Sequence, residues 1–371
     1  MRRLLGVTIA APLVALPATA QPVLQTVDSS AGPIAVSEVT GGLVHPWGMD
    51  WLPDGRIVVT ERPGPVRLVD DGVLSDPLAG APEVWAQGQG GMLDVRVDPD
   101  FAENSRLWLA FSEPGAGGAS TALGHGRLAD GEITGFETVF RMEPKVDGRN
   151  HFGARIVFAG DGSIFLTLAE RYKFDPAQDL GDHLGTIVRI LPDGTPHPDN
   201  PFLDREGARP EIWSYGHRNI EAAAMRPGTD QLWIAEMGPR GGDELNLIER
   251  GANYGWPEVS WGSHYNLLPI PDPPSRPEFA DAVKQWTPVI APSGMIFYTG
   301  ELFPDWGGDA MIGGLVAKGV TRLTLDGETV AEEELIELGA RIREVAQGPD
   351  GAVYVLTDRD DGAIWRLAPA G

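Results

Sequence analysis

The chain has 371 residues, of which 42% are apolar, with 48 glycines, 32 prolines, no cysteine and a formal net charge of −24. Its length and apolar content allow a large core and exclude a disordered chain, and its unperiodic glycines and prolines exclude collagen. The negative charge disfavours nucleic acid and anionic membranes as partners, so an anionic ligand would need a locally basic pocket.

The first twenty residues have the features of a secretory signal peptide. Arg2 and Arg3 form a basic start, an apolar stretch runs from Leu4 to Ala15, and Ala18-Thr19-Ala20 forms a small-residue cleavage site. We therefore expect residues 1–20 to be cleaved and the protein to be periplasmic or secreted. An N-terminal anchor is the alternative, and no other apolar run is long enough to span a bilayer.

A short pattern recurs along the rest of the chain, in which a turn rich in Pro, Gly and Asp precedes an alternating β-rich run. It occurs as LPDGRIVVTER from Leu52, AGDGSIFLTLAER from Ala159, RPGTDQLWIAEM from Arg226 and GPDGAVYVLTDR from Gly348. Several of these runs are followed by a second strand-like run, such as VRLVDDG or TRLTLDG. Turn residues next to β-branched and aromatic residues are typical of antiparallel strands.

About six such units between residues 36 and 368 predict an all-β, six-bladed β-propeller, formed as a single catalytic domain by residues 21–371. A pair of β-sandwiches is the alternative. The stretch AEEELIELGARIREV from Ala331 has some helical spacing, but its neighbours favour strands. The proline-rich stretch 263–292 predicts a loop insertion, which forms either a lid or channel wall or a mobile surface loop.

Several familiar catalytic signatures are missing from the sequence. It contains no H-E-x-x-H, no Walker A and no G-x-S-x-G motif. The stretch QGQGG from Gln87 fails the dinucleotide-binding pattern because Leu93 stands where the last glycine is needed. We therefore expect no nicotinamide site.

Five segments are richer in polar and glycine residues than a scaffold needs: GQGGML from Gly88, GRNHFGARI from Gly148, EIWSYGHRN from Glu211, AEMGPRGGDELNLIERGANYGWP from Ala235 and GARIREVAQGPDG from Gly339. In this order, over essentially the whole mature chain, they resemble the soluble aldose sugar dehydrogenases that depend on pyrroloquinoline quinone (PQQ). The resemblance implies PQQ- and Ca²⁺-dependent oxidation of the C1 hydroxyl of an aldose to a lactone, with electrons passed to an external acceptor.

The resemblance assigns the general base to His151, which would take the hydroxyl proton while hydride leaves C1. A neutral imidazole has a pKa suited to this task. A nearby carboxylate would orient the ring, and this chain has Ala169-Glu170-Arg171 where the family has Gly-Asp-Arg. Glu170 is then a catalytic candidate with a side chain one methylene longer. A solvent-exposed Glu–Arg pair is the alternative.

PQQ carries three carboxylates, and the resemblance assigns them to Arg341 and Arg343. Two residues apart on a strand, both side chains would point to one face and grip carboxylates bidentately. Arg218 and Asn219 match residues beside the quinone oxygens, where a cation stabilises developing negative charge. Arg218 is therefore both a catalytic and a cofactor-binding candidate. The family continues from this point with Pro-Gln-Gly, and here the residues are Ile220-Glu221-Ala222.

Gln89 matches a polar residue of the cofactor pocket wall. Lys318 is a further cofactor candidate, because the family often has a lysine on this late strand, although Val316 occupies the matching position. Trp286 lies near an aromatic position that contacts sugar and cofactor in relatives, and a core tryptophan is the alternative.

The segment GPRGGDELN is predicted to bind metal. In the family, backbone carbonyls matching Gly238 and Pro239 bind the Ca²⁺ that contacts PQQ, and positions matching Glu244 and Tyr254 bind a second, structural Ca²⁺. Calcium prefers such hard oxygen ligands.

Two alternatives to the sugar dehydrogenase remain from the sequence. One is a calcium-dependent propeller hydrolase of the lactonase type, and the other is a non-catalytic propeller that binds saccharide or protein. The arginine pair and GHRN favour the dehydrogenase, which is expected as a monomer or homodimer without a membrane span.

Overall fold

The structure is a computed structural model, and it describes residues 22–371. The predicted signal peptide, residues 1–20, lies outside the described residues. Among the described residues, no helix is both long and apolar enough to cross a membrane.

Nearly all regular structure in residues 22–371 is β-strand. The strands, in chain order, are β1 (Val23–Val27), β2 (Ile34–Leu43), β3 (Pro46–Trp51), β4 (Ile57–Glu61), β5 (Val66–Asp70), β6 (Val73–Leu74), β7 (Met92–Val97), β8 (Arg106–Gly115), β9 (Gly118–Ala129), β10 (Glu132–Arg141), β11 (Ile156–Phe158), β12 (Ile164–Thr167), β13 (Thr186–Ile190), β14 (Ile212–Tyr215), β15 (Ile220–Met225), β16 (Leu232–Glu236), β17 (Asp243–Leu247), β18 (Lys284–Trp286), β19 (Pro292–Phe297), β20 (Ala310–Gly314), β21 (Gly319–Asp326), β22 (Thr329–Glu337), β23 (Ile342–Gln347), β24 (Val353–Thr357) and β25 (Gly362–Pro369). The helices are short: α1 (Phe101–Asn104) and 3₁₀ turns at Asp175–Gln178, Pro273–Ser275 and Pro304–Trp306.

These strands form six antiparallel sheets. Five have four strands (β3 to β6, β7 to β10, β11 to β14, β15 to β18 and β19 to β22), and the sixth joins β23, β24 and β25 to β2 and β1. The first strand of each sheet contacts the first strand of the next, from β3 round to β23 and back to β3. The six sheets are thus the blades of a closed β-propeller, numbered 1 to 6 from the blade that begins with β3. The predicted fold is confirmed, and the sandwich alternative is wrong.

The recurring Asp-Gly pattern forms the turn that joins the first two strands of a blade. In blade 1, the Leu52 amide donates to the Arg56 carbonyl, and Gly55 takes a positive φ of 93°. The Asp54 carboxylate accepts a bond from the Arg56 amide at 3.1 Å. Asp161 and Asp350 repeat this contact in blades 3 and 6. An aspartate that satisfies the backbone and a glycine that tolerates positive φ explain why this pattern marks each turn.

The first and last strands of the described residues both belong to the last blade. Strand β2 pairs with β25, with Ile34 opposite Pro369 and Val36 opposite Leu367. Ile34 and Val36 are fully buried in the core between blades 5 and 6. The first strands described therefore close the ring.

Apolar side chains fill the spaces between neighbouring blades. Each of six clusters draws most of its residues from two adjacent blades, as Trp108 of blade 2 and Ile164 of blade 3 do. The stretch from Ala331 forms β22 and β23 with Gly339 at a positive φ of 71° between them, so the strand prediction is confirmed. The packing leaves the ends of the first strands free to line the central axis.

One face of the ring collects the polar segments. The first strand of a blade begins, and its antiparallel second strand ends, at the same face, which we call the upper face. His151 precedes β11, and Glu170 follows β12, so both lie there. This geometry explains why a compact hairpin carries an imidazole and a carboxylate at its two ends.

The proline-rich stretch 263–292 is irregular except for the 3₁₀ turn at Pro273–Ser275 and strand β18, the outermost strand of blade 4. Ser263 exchanges backbone hydrogen bonds with Arg240, both at 3.1 Å. This part of the stretch is therefore tied to the GPRGGDELN segment at the upper face.

Candidate active site

His151 and Glu170 form a buried hydrogen-bonded pair. The His151 Nδ1 contacts Glu170 Oε1, and the side chains are 7% and 0% exposed. Burial opposes ionisation of Glu170, but hydrogen bonds from His151 and from the Phe174 amide (2.7 Å) hold its pKa below the ordinary value. Burial lowers the pKa of His151, with Arg218 adding to the effect and Glu170 opposing it. Near neutral pH the pair is a neutral imidazole beside a carboxylate, and the exposed Glu–Arg alternative is wrong.

Two further pairs at the upper face share this geometry. His45 Nδ1 lies 2.9 Å from Asp358 Oδ1, and His217 Nδ1 lies 2.9 Å from Glu236 Oε1. Their second ring nitrogens are occupied, since His45 Nε2 lies 2.8 Å from Asp360 Oδ1 and His217 Nε2 lies 3.0 Å from Ser214 Oγ.

By contrast, His151 Nε2 has no hydrogen-bond partner among residues 22–371. Because the Nδ1–H group donates a hydrogen bond to the Glu170 carboxylate, the neutral ring has its lone pair on Nε2. Of the three pairs, only that of His151 presents a nitrogen that can take a proton from a ligand.

The backbone around this pair adopts conformations that side chains rarely take. His151 has a φ of 56°, and Arg171 and Tyr172 have φ values of 56° and 60°. Arg171 is fully buried, stacks 3.7 Å from the centre of the Phe152 ring, and donates to the Gly148 and Asn150 carbonyls at 2.9 and 2.7 Å. Non-glycine residues at positive φ persist where surrounding contacts over-determine them. Arg171 thus fixes the segment that carries His151.

A cavity of about 320 Å³ includes in its wall Gln89, which contacts the His151 amide, and we call it the arginine cavity. Its lining groups come from all round the ring: His45, Arg62, Gln89, Glu221, Met237, Ala291, Leu315, Arg341, Arg343 and Asp358. It contains three guanidinium groups and two carboxylates, in a protein with 53 acidic and 29 basic residues. The arginine cavity is therefore a locally basic pocket of the kind that an anionic ligand requires.

Arg341 and Arg343 converge on this cavity as predicted. Their Nη2 atoms lie 3.1 and 2.7 Å from Asp358 Oδ2. Arg343 is buried and also contacts Glu221, whereas the Arg341 side chain is 47% exposed. Although burial opposes ionisation, the two guanidinium groups and His45 hold the pKa of Asp358 well below its usual range.

Arg218, Asn219 and Gln89 lie next to the same cavity. Arg218 donates to the Met237 and Gly238 carbonyls at 2.9 and 2.8 Å. Asn219 is buried and donates to Glu221 Oε1 at 3.1 Å. Gln89 Oε1 accepts from the His151 amide at 2.6 Å, so it connects the cavity wall to the imidazole segment.

A second, much smaller cavity of about 10 Å³ lies next to Arg218 and Met237 and is lined by Gly238, Glu244 and Tyr254. Burial and the nearby Glu236 raise the pKa of Glu244 to about 8. The Tyr254 hydroxyl donates to the Leu247 carbonyl at 2.6 Å, so its side chain is committed elsewhere. Three of the four predicted metal residues therefore meet here, and Pro239 is not among the lining residues.

Metal binding among the described residues would depend on backbone carbonyls more than on side chains. Residues 22–371 contain no group of three or more His, Cys, Asp or Glu side chains placed to hold a metal ion. A cation here would need backbone carbonyl ligands. Asp243 fixes that backbone, since it accepts from the Gly238 and Ala291 amides at 2.9 and 2.7 Å, and burial raises its pKa to about 6.

Two predicted residues do not reach the arginine cavity. Lys318 is exposed on the turn between β20 and β21, and its neighbour Leu315, not Val316, lines the cavity wall. Trp286 is buried between blades 4 and 5, and its Nε1 donates to Glu333 Oε1 at 2.6 Å. The core alternative for Trp286 is the one that the structure shows.

The sequence analysis missed four cavity groups: His45, Arg62, Glu221 as a charged wall residue, and Asp358. A signal for Asp358 and for three other carboxylates was present in the recurring runs. An acidic residue follows the second strand, or ends it, in VVTER, TLAER, WIAEM and VLTDR, which supply Glu61, Glu170, Glu236 and Asp358.

Comparisons with known proteins identify the family of this chain. The family model of Glucose / Sorbosone dehydrogenase matches residues 43–366. Aldose sugar dehydrogenase YliI of Escherichia coli (strain K12) is 45% identical over 338 residues, which cover 88% of this chain and 91% of that protein.

Solved structures show the same architecture. The apo form of the soluble aldose sugar dehydrogenase from Escherichia coli matches with a TM-score of 0.86 and 43% identity, covering 91% of this chain and 99% of that one. The PQQ-bound form of the aldose sugar dehydrogenase from Streptomyces coelicolor matches with a TM-score of 0.74 and 28% identity, covering 90% and 98% of the two chains. These matches extend over all six blades and hence over the upper face described above.

Proposed function

The chain belongs to the Glucose / Sorbosone dehydrogenase family, and from this premise we propose that it is a PQQ- and Ca²⁺-dependent aldose dehydrogenase. The reaction oxidises the C1 hydroxyl of an aldopyranose: C1 loses a hydride, the hydroxyl loses a proton, and the C1–O bond becomes the carbonyl of a lactone. The observation that carries the proposal is the open Nε2 of the His151–Glu170 pair, on a segment that Gln89 connects to the wall of the arginine cavity.

His151 is the general base of the proposed reaction. Its lowered pKa keeps the ring neutral near pH 7, and Glu170 fixes the tautomer with the proton at Nδ1. Nε2 then accepts the hydroxyl proton, and the Glu170 carboxylate stabilises the imidazolium that results. Positioned proton transfer of this kind contributes roughly 10²–10⁴-fold to a rate.

The arginine cavity fits the proposed cofactor in size and charge. Its volume lies near the lower end of the range of about 300–1,000 Å³ for small-molecule sites. The buried Nε atoms of Arg218 and Arg343 have no hydrogen-bond partner among the described residues. Arg218, Asn219, Gln89, Arg341 and Arg343 would hold PQQ, which when bound would supply the hydride acceptor. Arg218 and Asn219 contact the lining residues Met237 and Glu221, whereas Lys318 is left out because it is exposed on the turn between β20 and β21.

The residues of the proposed calcium sites supply only some of the oxygen ligands that calcium needs. Gly238 and Pro239 can offer carbonyl oxygens, although the Gly238 carbonyl already accepts a bond from Arg218. A cation at that oxygen must share it with this guanidinium or displace it. Glu244 and the Tyr254 carbonyl would hold the second ion, with Glu236 near enough to add charge. A calcium ion needs six to eight oxygens, so water or the cofactor must complete either shell.

We further propose that residues 1–20 direct export, so the enzyme works in the periplasm or outside the cell and passes its electrons to an external acceptor. A single domain formed by residues 21–371 would then contain the whole site, as a monomer or homodimer.

One assay tests the proposed function. Purified apoprotein is mixed with Ca²⁺ and PQQ, an aldose and a redox dye are added, and dye bleaching is followed with each component omitted in turn. Bleaching that requires PQQ is the expected result. Lactone hydrolysis without PQQ would support the lactonase alternative, and the absence of both activities would support a binding protein.

His151→Gln should abolish turnover while PQQ still binds, and full activity in this variant would remove His151 from the base role.

A further inference from the structure

The carboxylates of the arginine cavity are not shared equally among its three arginines. Arg343 has both Nη atoms engaged, one by Glu221 and the other by Asp358 at 2.7 Å. Arg341 gives one Nη atom to Asp358 at 3.1 Å and otherwise reaches only the Leu315 carbonyl, at 3.4 Å. The arginine with the strongest protein contacts is thus the one with the least capacity left for a ligand.

Arg62 is the third guanidinium of the cavity and differs from both. It contacts the Gly88 carbonyl through Nη1 and takes part in none of the ion pairs within residues 22–371. It is half-buried at the end of strand β4, so part of its hydration has already been removed. In a protein with almost twice as many acidic as basic residues, a half-buried cation without a carboxylate is suited to an anion from outside.

The surroundings of Arg62 agree with this role. Burial lowers the pKa of its guanidinium, Arg343 and Arg341 act in the same direction, and Asp358 and Glu221 oppose them. The same five groups line one cavity. A ligand carboxylate that entered would relieve the repulsion among the arginines and meet repulsion from Glu221.

We propose that Arg62 joins Arg341 and Arg343 in binding the carboxylates of the cofactor, with Arg343 fixed in the cavity wall by Glu221 and Asp358 and Arg62 supplying the guanidinium that has no carboxylate partner within the described residues. This inference rests on the proposed function for the identity of the cofactor, but not for the presence of a carboxylate site. Glu221 is then a specificity residue that limits how much negative charge the cavity accepts.

Binding titrations of the apoprotein test the inference without any measurement of turnover. Two probes are used: PQQ, and trimesate, an aromatic tricarboxylate that has no quinone. The variants are Arg62→Gln, Arg343→Gln and Glu221→Gln. Arg226→Gln is the matched control, because Arg226 also gives Nη1 to a glycine carbonyl, that of Gly327, but follows the far end of β15.

The expected results separate the roles of the arginines. Loss of a charge-assisted hydrogen bond should weaken binding of both probes to Arg62→Gln by about tenfold or more, with no change in the midpoint of thermal unfolding. Glu221→Gln should tighten binding several-fold by removing a repulsive charge. Arg343→Gln should lower the unfolding midpoint, because it leaves the buried Glu221 carboxylate without its ion-pair partner. Arg226→Gln should match the wild type.

Any other result contradicts a specific claim of the inference or of the proposed function. If Arg62→Gln binds both probes as Arg226→Gln does, the role of Arg62 is wrong, and the proposed function stands as long as the wild type binds PQQ. If the wild type binds trimesate through Arg62 but does not bind PQQ, the carboxylate site stands and the proposed function fails. If the wild type binds neither probe, both fail. If Glu221→Gln does not tighten binding, Glu221 is not a specificity residue.

Discussion

Three histidine–carboxylate pairs surround the upper face, and their second ring nitrogens give them different capacities. Asp360 and Ser214 occupy the Nε2 atoms of His45 and His217, so those rings are fixed as structural cross-links. The Nε2 of His151 is left for a ligand. At the scale of single residues, one missing hydrogen bond therefore separates a candidate base from two structural histidines.

Replacement of Glu170 tests how this pair works. Glu170→Gln removes the charge that raises the pKa of His151 and stabilises its imidazolium, so we expect the plateau of kcat/KM to fall roughly 10²–10⁴-fold. A base must be neutral to act, so kcat/KM of the wild type should rise with pH to a plateau, through a pKa below the ordinary value of 6.5 for histidine. In Glu170→Gln this rise should move to lower pH.

Glu211→Gln is the matched control for this experiment, because Glu211 Oε2 contacts a histidine, His183, at 3.3 Å without lining either cavity. Its pH profile and plateau should match those of the wild type. A fall in rate of Glu170→Gln with an unmoved pH profile would mean that Glu170 shapes the segment without tuning the base.

At the scale of elements, the blade unit explains how far sequence reasoning could go. The Asp-Gly turns and alternating runs predicted strands, and the family resemblance predicted Glu170. His45, Arg62 and Asp358 were missed because they come from blades 1 and 6, which only ring closure brings together. Likewise, the spacing of Arg341 and Arg343 predicted a shared face, but not that Glu221 and Asp358 bind Arg343.

The segment from Gly148 to Arg155 depends on Arg171 for its shape, and Arg171→Met tests this dependence. Loss of the bonds to the Gly148 and Asn150 carbonyls should destabilise the fold by about 1–3 kcal/mol, because it removes two hydrogen bonds donated by a buried guanidinium. The segment should exchange its amide hydrogens faster, and kcat should fall while the affinity for PQQ is retained.

Arg189→Met is the comparison variant for Arg171→Met. Arg189 lies 5.1 and 4.9 Å from the ring centres of Phe165 and Trp213 and pairs with Asp161, but it lines neither cavity. It should lose some stability and no activity. Equal losses of kcat in both variants would show that the effect is general softening of blade 3.

At the scale of the whole molecule, the upper face depends on how the ring is held together at its axis and at its seam. Arg155 is fully buried and spans several blades: it contacts Glu344, donates to the Arg343 carbonyl at 2.9 Å and to the Glu221 carbonyl at 2.6 Å, and stacks on Trp47. Two of these partners, Glu221 and Arg343, also line the arginine cavity, so Arg155 holds part of its wall in place. The geometry of the cavity is therefore a property of the closed ring, which no single blade possesses.

Strand β2 is the seam of that ring, and a pair of substitutions tests its weight. Ile34 is fully buried opposite Pro369, whereas Val23 on β1 is 57% exposed. Ile34→Ala should lower the free energy of unfolding by about 2–5 kcal/mol, because it leaves a cavity between blades 5 and 6. Val23→Ala should change it by less than about 0.5 kcal/mol. Chemical unfolding followed by tryptophan fluorescence and by circular dichroism measures both.

Since closure holds Arg343 and Asp358 against blade 1, Ile34→Ala should also weaken trimesate binding at denaturant concentrations below its unfolding transition. If Ile34→Ala unfolds like Val23→Ala, the ring does not depend on its N-terminal strands for closure.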